Sequence, residues 1–137
     1  DLILQLEDIP TEQAHEMAFC ARADFELIIN NSPHKSLEII NKAIVKFPSS
    51  PYPLLSKLSI LERLKDIEGI RTLIADFESR KNHRNPSIDT ILKRYQAISL
   101  ALEGKIDQAI YLVNKELTYY PLNAKERIIN KLYNKSN

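Results

Sequence analysis

The sequence predicts an all-α protein built from repeated helical hairpins. Apolar side chains recur at intervals of three and four residues over most of the chain, which is the period of an amphipathic helix. The seven prolines separate these stretches, and the two glycines and the absence of alternating Val/Thr-rich runs argue against strands. We therefore expect three antiparallel hairpins followed by a terminal helix.

The first three helices are recognised by apolar stripes that end at prolines. They are predicted over residues 11–30, 33–47 and 51–64. Ser32 and Ser50 are the expected N-caps, because a Ser oxygen accepts a hydrogen bond from the first free N–H groups of a helix. Pro33 and Pro51 follow them and suit the first helical turn.

The other four helices are predicted over residues 67–77, 88–102, 106–120 and 123–133. Asp66 is the expected N-cap of the fourth helix, and Gly104 is placed to end the fifth. Asn123 and Glu126 have the spacing of a capping box at the start of the last helix. The short loops favour antiparallel packing of neighbouring helices.

An internal repeat follows from the positions of two prolines. Pro48 and Pro121 each close the second helix of a pair and lie 73 residues apart, which equals two repeats of 34 residues plus five. The five additional residues fit the polar loop around residues 81–85, where an insertion has a small entropic cost. With this allowance, three units begin near Met17, Pro51 and Thr90.

Over about residues 17–121 the sequence resembles the tetratricopeptide repeat family. The third unit has small residues in both helices, a glycine at the turn and a closing proline, at Ala97, Ala109, Gly104 and Pro121. The first unit keeps Ala43 and Pro48, but has Asp24 and Ser36 where small apolar residues are usual. The middle unit has Leu58 and Ile70 at these positions and Asn82 in place of the proline.

The resemblance implies a right-handed superhelix in which the first helix of each unit lines a concave groove. We expect one domain over residues 11–137, with units over 11–48, 51–82 and 88–121 and a capping helix over 123–135. Residues 1–10 are expected to be a linker or the tail of a preceding element. A non-repeating helical bundle is the alternative.

Composition favours a cytoplasmic protein without a dedicated nucleic-acid or membrane surface. The net charge is +1, Cys20 is the only cysteine, and no apolar run is long enough to span a bilayer. The chain begins with Asp rather than Met, so we expect a fragment or a processed form of a larger regulatory or assembly protein.

The sequence contains little that indicates catalysis, and we predict neither an enzyme nor a cofactor. Glu16, Cys20 and Asp24 are spaced to share one helix face and are the only set we considered for a metal ion. Without a CxxC or HExxH pattern, a packed thiol is the preferred interpretation and no metal is predicted.

We predict a non-catalytic scaffold that binds a polypeptide in its concave groove. The groove residues expected from the repeat alignment are Arg22, Phe25, Tyr52, Leu55, Ser56, Ser59, Arg94, Tyr95 and Ile98. Tyr and Arg commonly anchor interfaces, although Phe25 and Ile98 could equally belong to the core. The Lys and Asn side chains that clamp a chaperone C-terminal carboxylate in some members of the family are absent, which disfavours that subtype.

Two alternatives remain open. The loop residues Arg80, Lys81, His83 and Arg84 form a basic cluster that could contact nucleic acid or an acidic partner, although no aromatic residue is interleaved to stack bases. The domain could instead self-associate through the outer face of the third unit or through the capping helix.

Overall fold

The computed structural model describes residues 12–80, 83 and 85–136, with side chains described from His15 onward. Over these residues the chain is all-helical, without strands, which confirms the predicted class. The seven helices are α1 (Glu12–Asp24), α2 (Pro33–Lys46), α3 (Tyr52–Arg63), α4 (Ile67–Ser79), α5 (Pro86–Leu102), α6 (Ile106–Glu116) and α7 (Leu122–Ser136). The predicted linker over residues 1–10 lies outside this part of the chain.

The chain divides between Leu64 and Lys65 into two compact halves. In the N-terminal half, α1, α2 and α3 each contact the other two. In the C-terminal half, α5 packs against α4, α6 and α7, and α6 also contacts α7. In both halves, consecutive helices therefore pack against each other, as the short loops require.

The end of α5 shows why the sequence places a glycine there. Gly104 has a φ of 87°, a left-handed conformation that only glycine adopts without strain. Its N–H donates to the Ala101 carbonyl and the Lys105 N–H donates to the Leu100 carbonyl, both at 2.9 Å. This pair of hydrogen bonds is a Schellman motif, which confirms Gly104 as the residue that ends the helix.

The same turn recurs along the chain at regular intervals. Within the described residues, positive φ values occur at Asn31 (48°), Lys65 (56°) and Gly104 (87°). Thirty-four residues separate Asn31 from Lys65, and 39 separate Lys65 from Gly104. The N-cap positions of the helices that follow, Ser32, Asp66 and Lys105, have the same two spacings. The backbone therefore repeats with a period of 34 and one insertion of five.

The last turn of the first helix is wider than an α-helix. Residues Phe25–Ile29 continue α1 as a π-helical segment, and the Asn30 N–H donates to the Phe25 carbonyl at 3.2 Å. A π turn accommodates one additional residue. Compared with α3, the residues of α1 before this segment are therefore shifted by one position.

Burial follows this shift. After the π segment, buried Leu27 corresponds to buried Leu61 at a spacing of 34. Before it, buried Ala23 corresponds to buried Leu58 at a spacing of 35. Ala23, rather than the expected Asp24, therefore lies at the contact with α2, where the buried Ser36 hydroxyl donates to the Ala23 carbonyl at 2.6 Å.

Two of the predicted helix caps are found and two are changed. Asp66 accepts the Gly69 N–H at 2.9 Å, as predicted. Ser50 lies just before α3 and accepts the Tyr52 N–H at 3.3 Å. Ser32 occupies the N-cap position of α2, but its hydroxyl donates to the Asn30 carbonyl instead of accepting a helical N–H.

The predicted capping box of the last helix is not formed. Helix α7 begins at Leu122, so Asn123 lies inside its first turn. The carbonyl of Pro121 accepts the Ala124 N–H at 3.0 Å and the Lys125 N–H at 3.1 Å, which satisfies the free donors that a cap would have taken.

The core of the N-terminal half joins α1 to α2. Its buried residues are Ala23, Leu27, Ile40, Ala43, Phe47 and Ile60. Phe19 meets Phe47 edge to face with ring centroids 6.0 Å apart, and the Lys46 ammonium lies 5.3 Å from the Phe19 centroid. Among the described residues, no helix is long and apolar enough to cross a membrane.

Candidate functional site

A groove lies between α1 and α3 in the N-terminal half, with a volume of about 590 Å³. Its lining residues are Glu16, Met17, Cys20, Ser50, Tyr52, Leu55 and Ser56. We call it the α1–α3 groove.

Helical spacing explains how these side chains converge. Glu16, Met17 and Cys20 are separated by three or four residues, so they lie on one face of α1. Tyr52 and Leu55 share a face of α3 for the same reason. Because α1 and α3 contact each other, these two faces form the walls of the groove.

The groove has an exposed apolar surface. Met17 is 54% exposed and Tyr52 is 64% exposed, whereas Leu55 is half-buried. Apolar side chains that line a concavity without being covered are typical of binding surfaces.

Ser50 holds one end of the groove together. Its hydroxyl donates to the Glu16 carboxylate and accepts the Tyr52 N–H at 3.3 Å. This serine therefore links α1 to the first turn of α3 and fixes the position of the Glu16 carboxylate.

Cys20 lies at the middle of the α1 wall. Burial raises the pKa of the Cys20 thiol; a hydrogen bond with Ser56 opposes this, and the carboxylates of Glu16 and Asp24 add to it. Because the thiolate is the reactive form of cysteine, this thiol is a weak nucleophile at neutral pH.

Asp24 lies one helical turn after Cys20. Its side chain is classed as exposed, yet partial burial raises the pKa of its carboxyl. Glu16, Cys20 and Asp24 share a face as the sequence indicated, but within the described side chains no three His, Cys, Asp or Glu residues are arranged to hold a metal ion.

The predicted groove residues divide according to helix. Tyr52, Leu55 and Ser56 of α3 line the α1–α3 groove, and Ser59 is exposed one turn further along. Arg22 and Phe25 of α1 are not part of the lining.

The π segment explains this difference, because it shifts the α1 register by one residue. The alignment consequently missed Met17 as a lining residue, and Glu16 and Cys20 were considered only as metal ligands. A signal in the sequence was the small residue Ala23 beside Asp24, which fits a spacing of 35 better than 34.

The other three predicted groove residues are in the C-terminal half, on α5. Tyr95 and Ile98 are each 7% exposed, and Arg94 is half-buried. A hollow of about 320 Å³ between α4, α5 and α6 does not include them. It is lined by Arg71, Ile74, Ala75, Glu78, Gln96, Ser99, Leu100 and Leu112.

The predicted basic loop is partly engaged within the protein. Arg80 forms an ion pair with Asp76 at 3.1 Å. His83 is 8% exposed and packs edge to face on Phe77, with ring centroids 6.5 Å apart. Lys81 and Arg84 lie outside the described residues, so the use of this loop for nucleic acid stays a prediction.

The fold and the groove thus describe an all-helical protein with a partly apolar binding surface. Comparison with protein-family models, with curated proteins and with solved structures finds no significant match.

Proposed function

We propose that this chain is a tetratricopeptide-like scaffold without catalytic activity, which binds a polypeptide segment in the α1–α3 groove. The observation that supports it best is the recurrence of the turns at Asn31, Lys65 and Gly104. Their spacings of 34 and 39 residues equal the period of that family and the same period with the five-residue insertion.

The buried positions of the second helices support the same repeat. Ser36, Ile70 and Ala109 are all fully buried and have these two spacings, and so do the buried residues Ile40, Ile74 and Val113. A hairpin of two amphipathic helices buries its apolar face by stacking on its neighbours, so equivalent positions become buried in each unit. The superhelical arrangement of the units stays a prediction.

The walls of the groove favour a polypeptide as the ligand. Two adjacent first helices enclose an elongated concavity with apolar side chains from both sides, including Met17 and Leu55. Tyr52 adds a large ring with a hydroxyl group, a combination that contributes both buried area and a hydrogen bond at interfaces. We propose that the scaffold acts as part of a larger regulatory or assembly protein.

The weak nucleophilicity of Cys20 agrees with a binding role rather than a catalytic one. Because this thiol lines the groove and is the only one in the chain, its alkylation also reports whether the groove is occupied.

The proposal can be tested by affinity capture with two matched variants. Leu55→Arg places a charge in the groove, whereas Val45→Arg places the same charge at an 81% exposed position of α2 that does not line it. Both variants are first checked for helicity by circular dichroism, and captured proteins are eluted at high salt and identified by mass spectrometry.

We expect a protein that the intact chain and Val45→Arg retain, that Leu55→Arg loses, and that protects Cys20 from alkylation when it is added back. Equal retention by all three chains would refute the groove as the binding surface. Retention of nucleic acid alone, released by salt, would favour the basic loop instead.

A further inference from the structure

The charge of the α1–α3 groove indicates which kind of polypeptide it takes, an inference that depends on the function proposed above. Glu16 is the only charged residue of the lining, and Asp24 lies on the same face of α1 two turns further along. Eight residues of helix separate the two, so their backbones are about 12 Å apart. Lysine and arginine are absent from the lining.

Both carboxylates act on the middle of the groove. Cys20 lies halfway between them, and each raises the pKa of its thiol through its negative charge. A cationic group at this position would therefore be attracted from both sides, and an anionic group would be repelled.

Asp24 also shows a charge that the fold leaves uncompensated. Partial burial raises the pKa of its carboxyl, and no attractive charge among the described residues counteracts this effect. Glu16, by contrast, accepts a hydrogen bond from Ser50 that fixes its position. A ligand cation would supply Asp24 with the counter-charge that its surroundings lack.

We propose that the α1–α3 groove binds a peptide segment that carries a lysine or arginine flanked by apolar side chains. The cationic side chain lies over Cys20, between the carboxylates of Glu16 and Asp24. The flanking apolar side chains pack against Met17, Leu55 and the ring of Tyr52. Charge complementarity thus selects basic segments, and the apolar walls supply the buried area.

The test uses three pools of short fluorescent peptides whose central residue is fixed as Lys, Ser or Glu and whose flanking positions are randomised among apolar residues. Binding is measured by fluorescence anisotropy to the full chain, to the double variant Glu16→Gln, Asp24→Asn, and to Glu38→Gln. The last removes a carboxylate from an exposed position of α2 and serves as the control.

We expect the Lys pool to bind about tenfold more tightly than the Glu pool, a ratio typical of two partly desolvated charge contacts. In the double variant the ratio should fall to about twofold or less, and in Glu38→Gln it should not change. The bound Lys pool should also slow the alkylation of Cys20.

Several results would overturn the proposal. Equal binding of the Lys and Glu pools, or a preference that persists in the double variant, would remove the charge argument while leaving groove binding intact. Binding without protection of Cys20 would place the peptide elsewhere. If no pool binds, or if the chain self-associates through Leu55 in sedimentation experiments, the proposed function fails together with this inference.

Discussion

Replacing Ala23 tests the register that the π segment imposes on α1. Ala23 is fully buried at the contact with α2, and its carbonyl accepts the hydroxyl of Ser36 at 2.6 Å. Asp24, its neighbour, is exposed. The change from Ala23 to Leu adds three carbon atoms where α2 approaches α1 most closely, whereas the change from Asp24 to Leu adds apolar volume on the open face.

The two substitutions should differ clearly in stability. Overpacking a well-packed site costs about 1–3 kcal/mol, so we expect Ala23→Leu to lower the free energy of unfolding by about 2 kcal/mol. Asp24→Leu should change it by less than about 0.5 kcal/mol, because surface substitutions rarely do more. It also replaces a poor helix former with a good one and removes a partly buried carboxyl.

Urea unfolding followed by circular dichroism at 222 nm provides the measurement. With a denaturant slope of about 1–3 kcal/mol per molar, the midpoint of Ala23→Leu should fall by roughly 1 M, and that of Asp24→Leu should hardly move. Hydrogen exchange across residues 33–46 would localise the effect to α2. If Asp24→Leu is as destabilising as Ala23→Leu, or more so, the uninterrupted 34-residue register is correct and our reasoning is wrong.

Three further predictions follow from the turns and from the groove. Gly104→Ala should destabilise the chain by about 1 kcal/mol in urea unfolding because its φ is 87°, and Lys65→Gly, at φ 56°, should be neutral or stabilising by up to about 1 kcal/mol; opposite signs would contradict the shared turn geometry. Glu16→Gln should lower the pKa of the Cys20 thiol, so the pH–rate profile of alkylation should move to lower pH, and an unmoved profile would contradict the proximity of the two groups. Asp24→Asn should raise the free energy of unfolding at pH 7, because the raised pKa means that the folded chain holds this proton more tightly than the unfolded chain; the difference from the parent should disappear as the pH falls through the folded pKa towards the ordinary value of 3.8, and a difference that persists there would have another cause.

Local signals allowed most of the helical architecture to be predicted. Asp66 and Gly104 have conformational preferences that depend on a few neighbouring residues, and both occupy the positions expected. Lys65 adopts the left-handed turn without being a glycine, so only the spacing of the repeat could indicate it. The first turn of α7 differs because the Pro121 carbonyl takes the free N–H groups that the expected capping box would have satisfied.

The candidate site was predicted as far as the helices are regular. Tyr52, Leu55 and Ser56 line the groove because α3 is an ordinary α-helix and a 34-residue alignment projects onto it correctly. The α1 wall was missed because a π turn depends on tertiary packing and has no strong sequence signature. The single additional residue was therefore invisible in the apolar periodicity.

That additional residue determines the chemistry of the groove as well as its packing. In a helix each residue turns the chain by about 100°, so one inserted residue rotates all of α1 before Phe25–Ile29 by this angle relative to the α-helix that follows. The rotation buries Ala23 against α2 and brings Glu16, Cys20 and Asp24 to the groove side, where an uninterrupted helix would have placed Arg22. The same backbone irregularity thus exchanges a cationic groove wall for an anionic one. The stability test at Ala23 and the charge test with basic peptides consequently examine one structural feature, and a register refuted by the first would remove the basis for the second.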